Sequence, residues 1–131
     1  MRISVVSIPV MDQAKALAFY TEKLGFIKKN DMPVSEDARW LTVVPPEAQD
    51  GPEILLEPGP RHFEPAKVFQ DALYAAGMPW TGFEVDSVDE EFERLKAKGV
   101  EFKVEPMDVG TARIAVFDDT CNNYIQLMQI L

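Results

Sequence analysis

Histidine and cysteine are nearly missing from this chain, which has one of each, His62 and Cys121. A lone cysteine excludes an internal disulfide framework and fits a reducing compartment, so the cytoplasm is the expected location. There is no CxxC pair, HExxH helix, phosphate-cradling glycine loop or nucleophile elbow. No apolar run approaches the roughly 20 residues that a helical bilayer crossing needs, so no membrane span is expected. The N-terminus alternates like a strand and reaches Pro9 and Asp12 too soon for a signal-peptide core. Basic residues are also scarce and scattered: 13 Lys and Arg stand against 22 Asp and Glu, a net charge of −9. Phosphate-backbone binding needs clustered positive charge, so nucleic acid is not an expected partner.

What is present describes an ordinary globular protein. The chain has 131 residues, the usual size of one domain, with 47% hydrophobic and 27% charged residues. Residues 3–10 read as a strand, Asp12 as a helix N-cap, and Ala14, Leu17, Tyr20 and Leu24 as one helical face ended by Gly25. Strands follow at Phe26–Lys29, Arg39–Val44 and Glu53–Glu57. The layout then returns. The stretch TGFEV reads as a strand, Ser87 and Glu90 as a capping box, Val88, Phe92 and Leu95 as a helical face, and Gly99 as its stop. Strands at Glu101–Glu105, Thr111–Phe117 and Tyr124–Ile130 complete the second pass. The two passes match in element order, an internal repeat with an offset of about 75 positions. We expect one α+β domain over residues 1–131, with halves at about 1–59 and 78–131 and a connector helix at about 65–76. That connector would have Ala66, Phe69, Leu73 and Ala76 as its apolar stripe.

These residues resemble the vicinal oxygen chelate superfamily, which includes glyoxalase I, bleomycin-resistance proteins and extradiol dioxygenases. The resemblance lies in Pro9-Val10-x-Asp12 and Phe19-Tyr20-x3-Leu24-Gly25-Phe26 of the first half. In the second it lies in Phe83-Glu84-Val85-Asp86, Glu93-Arg94-Leu95-Lys96-x2-Gly99-Val100 and Phe117-Asp118-Asp119. It implies two βαβββ repeats forming cupped mixed sheets around a cleft, and a homodimer. One fold of this kind hosts many activities, so it implies little about the reaction. Metal-dependent members place one ligand on the first and one on the last strand of each half, and these positions fall on Val5, Glu57, Trp80 and Gln126. The repeat is expected to make Val5 equivalent to Trp80, and Glu57 to Gln126. Valine has no donor atom, indole has no lone pair for a cation, and Gln126 offers only a neutral amide oxygen. A catalytic zinc site needs three protein ligands, so no cofactor is expected; a divalent metal on Glu57 and Gln126 is the alternative.

Six residues are therefore candidates for ligand binding: Val5, Trp40, Glu57, Trp80, Glu84 and Gln126. Alternation would put Trp80, Gly82 and Glu84 on one strand face. Glu57 and Glu84 are the candidates for acid or base work, set against readings as a solvated strand end and a paired edge acid. Trp40 and Trp80 suit a pocket wall or the core. His62, in Pro-Gly-Pro-Arg-His-Phe, reads as a solvated loop histidine, and Cys121, beside Asp118 and Asp119, as a structural residue. The expected function is metal-independent binding of a small molecule, which an acidic cleft would suit if that compound is cationic. The alternatives are a lyase, isomerase or dioxygenase with an altered metal site centred on Glu57, and a regulatory module whose cleft is plugged by Trp80.

Overall fold

The computed structural model describes residues 1–131, which form two compact units, Met1–Gln70 and Asp71–Leu131. The first begins with strand β1 (Val5–Pro9), then helix α1 (Gln13–Ala18), which runs on into a wider π-type turn over Phe19–Lys23. Asp12 caps α1 by accepting the Lys15 amide at 3.0 Å, as its position suggested. Strands β2 (Ile27–Ser35), β3 (Ala38–Val44) and β4 (Glu53–Glu57) follow. They assemble as a four-stranded sheet in the order β1-β4-β3-β2, with β1 and β4 parallel and the other pairs antiparallel.

Registers fix the two faces of this sheet. Val6 and Ile8 pair with Ile54 and Leu56, and Ile54 with Val43; Ile8, Val43, Ile54 and Leu56 are all buried on the side that α1 covers. Ala16, Phe19 and Tyr20 from the helical segment are buried too, with the Phe19 and Tyr20 rings edge-on at 5.6 Å. The opposite face carries Val5, Ser7, Glu53, Leu55, Glu57, Thr42 and Trp40, because residues two apart share a face.

After β4 comes a short helix α2 (Gly59–His62), where a plain loop was expected, and then α3 (Glu64–Ala75), close to the expected connector. The Pro58-Gly59-Pro60 run explains α2, since proline presets the φ of a first helical turn. The boundary between the two units falls within α3.

The second unit contains β5 (Pro79–Glu84), α4 (Val88–Ala97), β6 (Phe102–Val109), β7 (Ala112–Asp118) and β8 (Tyr124–Ile130). Its sheet order, β5-β8-β7-β6, is that of the first unit strand for strand. Ser87 caps α4 through the Glu90 amide, and Gly25 and Gly99 both stop their helical segments at positive φ, +81° and +84°. Val88, Phe92 and Leu95 are buried with Ala115, Phe117, Ile125 and Leu127, and Phe102 meets the Phe92 ring at 4.7 Å. Strands β2 and β6 extend several residues beyond the expected spans because their ends are exposed and lack apolar alternation.

Candidate functional site

Three of the six expected residues lie on one face of the first sheet, with Val5 on the rung of Glu53, four residues along β4 from Glu57. Val5 and Trp40 are 36% and 37% exposed on the face away from α1, and half-buried Glu57 ends β4 on the same face. The sequence indicated this grouping for Val5 and Glu57 only.

Between Trp40 and Glu57 the sheet parts. The rungs of β3 and β4 are Thr42 with Leu55 and Val43 with Ile54. Beyond them the buried side chain of Gln13 takes over. Its Nε2 donates to Arg39 O and Leu56 O, both at 2.8 Å, while its Oε1 accepts the Arg39 amide at 3.0 Å. One carboxamide thus links the two strands where their ladder ends, and closes three backbone groups.

Glu53 is the residue that the sequence reading overlooked. Its Oε1 accepts from Thr42 Oγ1 at 2.7 Å and from Asn30 Nδ2 at 2.8 Å. Lys29 Nζ stands 3.7 Å from Oε2. The Thr42 hydroxyl above all, then the Asn30 amide and the Lys29 charge, holds the Glu53 carboxyl below its ordinary pKa against the opposing effect of burial. The period-two pattern Glu53-x-Leu55-x-Glu57 was the available signal, since it puts both acids on one face.

The other three residues lie in the second unit. Gly82 pairs with Gln126 and Glu84 with Met128, so Gly82, Glu84, Gln126 and Met128 share a face. Trp80 departs from the expected alternation. Pro79 pairs with Tyr124 and Thr81 with Ile125, which leaves Trp80 as the extra residue of a bulge. Exposed Glu84 and half-buried Gln126 keep their expected strands.

The structure also corrects the repeat equivalence of Glu57. Val10 N donates to Glu57 O at 2.8 Å, and Val85 N donates to Met128 O at 2.8 Å. Val10 and Val85 match across the repeat, so the counterpart of Glu57 is Met128; Gln126 corresponds to Leu55. Each residue lies in its expected strand, and only the rung differs, because rungs are set by pairing across the sheet. Met128 also lies over Gly82, where a Cβ would meet its Cε at 2.6 Å.

The residues do not fit a metal centre. Val5 and Trp80 supply no lone pair, and the equivalent rungs match Glu57 with a Met128 thioether and Gln126 with Leu55, so neither supplies two hard oxygen ligands. No group of three His, Cys, Asp or Glu side chains stands close enough to hold a metal ion. Glu57 remains a lone carboxylate.

Elsewhere, Tyr74 stacks on Tyr124 at 4.4 Å and donates a short hydrogen bond to Asp118, which raises the Tyr74 pKa above its ordinary value. These groups border a shallow hollow of about 420 Å³ lined by Tyr74, Gly99, Glu101, Asp118, Thr120 and Asn122, none of them an expected site residue. His62, expected in solvent, ends α2 with Nδ1 3.9 Å from Asp37 Oδ2. Cys121 sits in the turn before β8, its amide donating to Asp119 Oδ1 at 2.7 Å. In that turn Thr120 and Asn122 both take positive φ, 63° and 69°, which asparagine adopts more readily than threonine.

Two four-stranded mixed sheets of identical order, each with its helix, define a paired βαβββ protein of α+β class. The chain belongs to the glyoxalase/bleomycin resistance protein/dioxygenase superfamily, whose model matches residues 2–127. It is 52% identical over 129 residues to the uncharacterized protein YurT of Bacillus subtilis strain 168, covering 98% of this chain and 99% of that one. Among solved structures it is similar to UcmS2, at 37% identity and a TM-score of 0.82, over 98% of this chain and 97% of that one. It is also similar to TnmS3, an antibiotic binding protein from Streptomyces sp. CB03234. That match has 28% identity and a TM-score of 0.75, covering 100% of this chain and 97% of that one. No helix is long and apolar enough to cross a membrane.

Proposed function

We propose that this protein binds a small organic molecule without a metal ion, using the face of the first sheet that carries Trp40, and that it works as a homodimer in the cytoplasm. The observation that carries the reading is the composition of that face. The face carries two exposed apolar groups, the Trp40 indole and Val5, and two partly exposed carboxylates, Glu53 and Glu57. Ligand sites combine these two ingredients. The likeness to an antibiotic binding protein over the whole chain supports binding rather than turnover. Trp80, Glu84 and Gln126 are proposed separately as a ligand-binding face of the second sheet. The homodimer rests on the family resemblance, and the cytoplasm on the single cysteine.

The test is calorimetric titration of chelator-treated protein with a panel of planar aromatic compounds, neutral and charged. Saturable binding that survives chelation, and weakens at least tenfold in Trp40→Ala, is the expected result. Absence of binding across the panel sinks the proposal. Stoichiometric uptake of a divalent metal that Glu57→Ala abolishes would replace it with a lyase, isomerase or dioxygenase centred on Glu57.

A further inference from the structure

We propose that Glu53 selects the charge of the ligand, and that the ligand carries a protonated nitrogen on an arm extending from an aromatic body. This rests on the reading that the Trp40 face holds the ligand. Glu53 Oε1 is fixed by donors from two different strands, Thr42 on β3 and Asn30 on β2. Thr42 is itself fixed, because its Oγ1 accepts the Asn30 backbone amide at 3.2 Å. The carboxylate therefore has one orientation before any ligand arrives, which removes an ordering cost from binding.

Its second oxygen is differently placed. Lys29 Nζ stands 3.7 Å from Oε2, beyond hydrogen-bond length, and donates instead to Gln49 O at 2.8 Å. A protonated ligand nitrogen can thus form at Oε2 a shorter charge-assisted bond than Lys29 does. The Glu53 side chain is 22% exposed, so it is reachable yet partly shielded from solvent. Val5 stands in register beside it, and Glu57 adds a second carboxylate four residues along the same face.

Geometry sets the length of the arm. Trp40 lies two residues from Thr42 along β3, about 7 Å in a strand, and Thr42 touches Glu53. A ring stacked on the Trp40 indole would therefore place an amine on a three- or four-atom arm within reach of the Glu53 carboxylate. A neutral arm of equal length would gain the stacking and lose the charge pairing.

The experiment uses two probes on the full chain: a naphthalene bearing a propylamine arm, and its N-acetyl derivative. The wild type should bind the amine at least tenfold tighter than the amide. Glu53→Gln should bring the amine down to the affinity of the amide and leave the amide unchanged, because glutamine keeps an oxygen for Thr42 and Asn30. Added salt should weaken amine binding in the wild type alone. An equal loss for both probes in Glu53→Gln would show a structural role and overturn the proposal. An unchanged preference for the amine would overturn it as well. Failure of both probes to bind the wild type would instead remove the ligand face itself.

Discussion

Replacing Gln13 tests how far one buried side chain holds the first sheet together. Gln13→Leu keeps a similar volume but strands three backbone groups: the Arg39 amide, the Arg39 carbonyl and the buried Leu56 carbonyl. A buried polar group left without a partner costs about 1–3 kcal/mol. The Leu56 carbonyl should cost about 2 kcal/mol and the two part-buried Arg39 groups about 1 kcal/mol each, about 4 kcal/mol together. With a urea slope of about 2 kcal/mol/M, the unfolding midpoint should fall by roughly 2 M. Gln13→Ala should fall less, since water can enter the space and satisfy the carbonyls. Gln13→Glu gives a sharper check. At about pH 7 it sets a carboxylate against the two carbonyls that Nε2 now serves, which raises its folded pKa above the ordinary value of about 4.3. The resulting destabilisation is greatest above that folded pKa, and it eases as pH falls through it and one carboxyl oxygen becomes a donor. Urea titrations of the three variants between about pH 5 and pH 7 would settle it. A loss under about 1 kcal/mol in Gln13→Leu would mean that β3 and β4 hold their spacing unaided, and would refute the reasoning.

Gly82→Ala should cost under about 1 kcal/mol, because only the flexible end of Met128 must swing aside, and that cost should vanish when Met128→Ala is added, measured by a double-mutant cycle in urea. Asp31, hydrogen-bonded mainly by Arg39, has its pKa lowered below the ordinary 3.8. Its stabilisation is therefore complete above about pH 4 and is lost as pH falls toward the folded value. Asp31→Asn should lower the unfolding midpoint at pH 7, with a deficit that narrows below pH 4. Thr42→Val removes the largest cause of the lowered Glu53 pKa, so that pKa should rise on NMR titration of the side-chain carboxyl. Gly99→Ala, at φ +84°, should lose about 1 kcal/mol by thermal unfolding, and Gly25→Ala the same, as the repeat requires.

The repeat was legible because its punctuation is chemical. Asp12 and Ser87 can cap a helix, Gly25 and Gly99 can turn left-handed to leave one, and both pairs do so. Strands β4 and β8 were placed correctly because their apolar residues are bounded by clear turns. The π-type turn at Phe19–Lys23 had no such marker: the helical spacing of Leu17, Tyr20 and Leu24 continues through it. Nor did the bulge at Trp80, where the sequence reads as uninterrupted alternation.

The site was harder to read because its residues are defined by pairing, which sequence spacing does not encode. Sequence alone equated Glu57 with Gln126; the two matching amide bonds, Val10 to Glu57 and Val85 to Met128, show a shift of two residues. A shift of two keeps the face and changes only the rung, so Gln126 stayed on the expected face while its partner changed. Glu53 was missed for a related reason. Its role depends on Thr42 and Asn30, which lie 11 and 23 residues away and meet it only through the sheet. An acid alone in sequence reads as surface charge, whereas an acid met by two neutral donors and one lysine beyond hydrogen-bond length is an oriented charge. That difference is the physical ground for assigning ligand selection to Glu53 and not to Glu57, the position that the family pattern singles out.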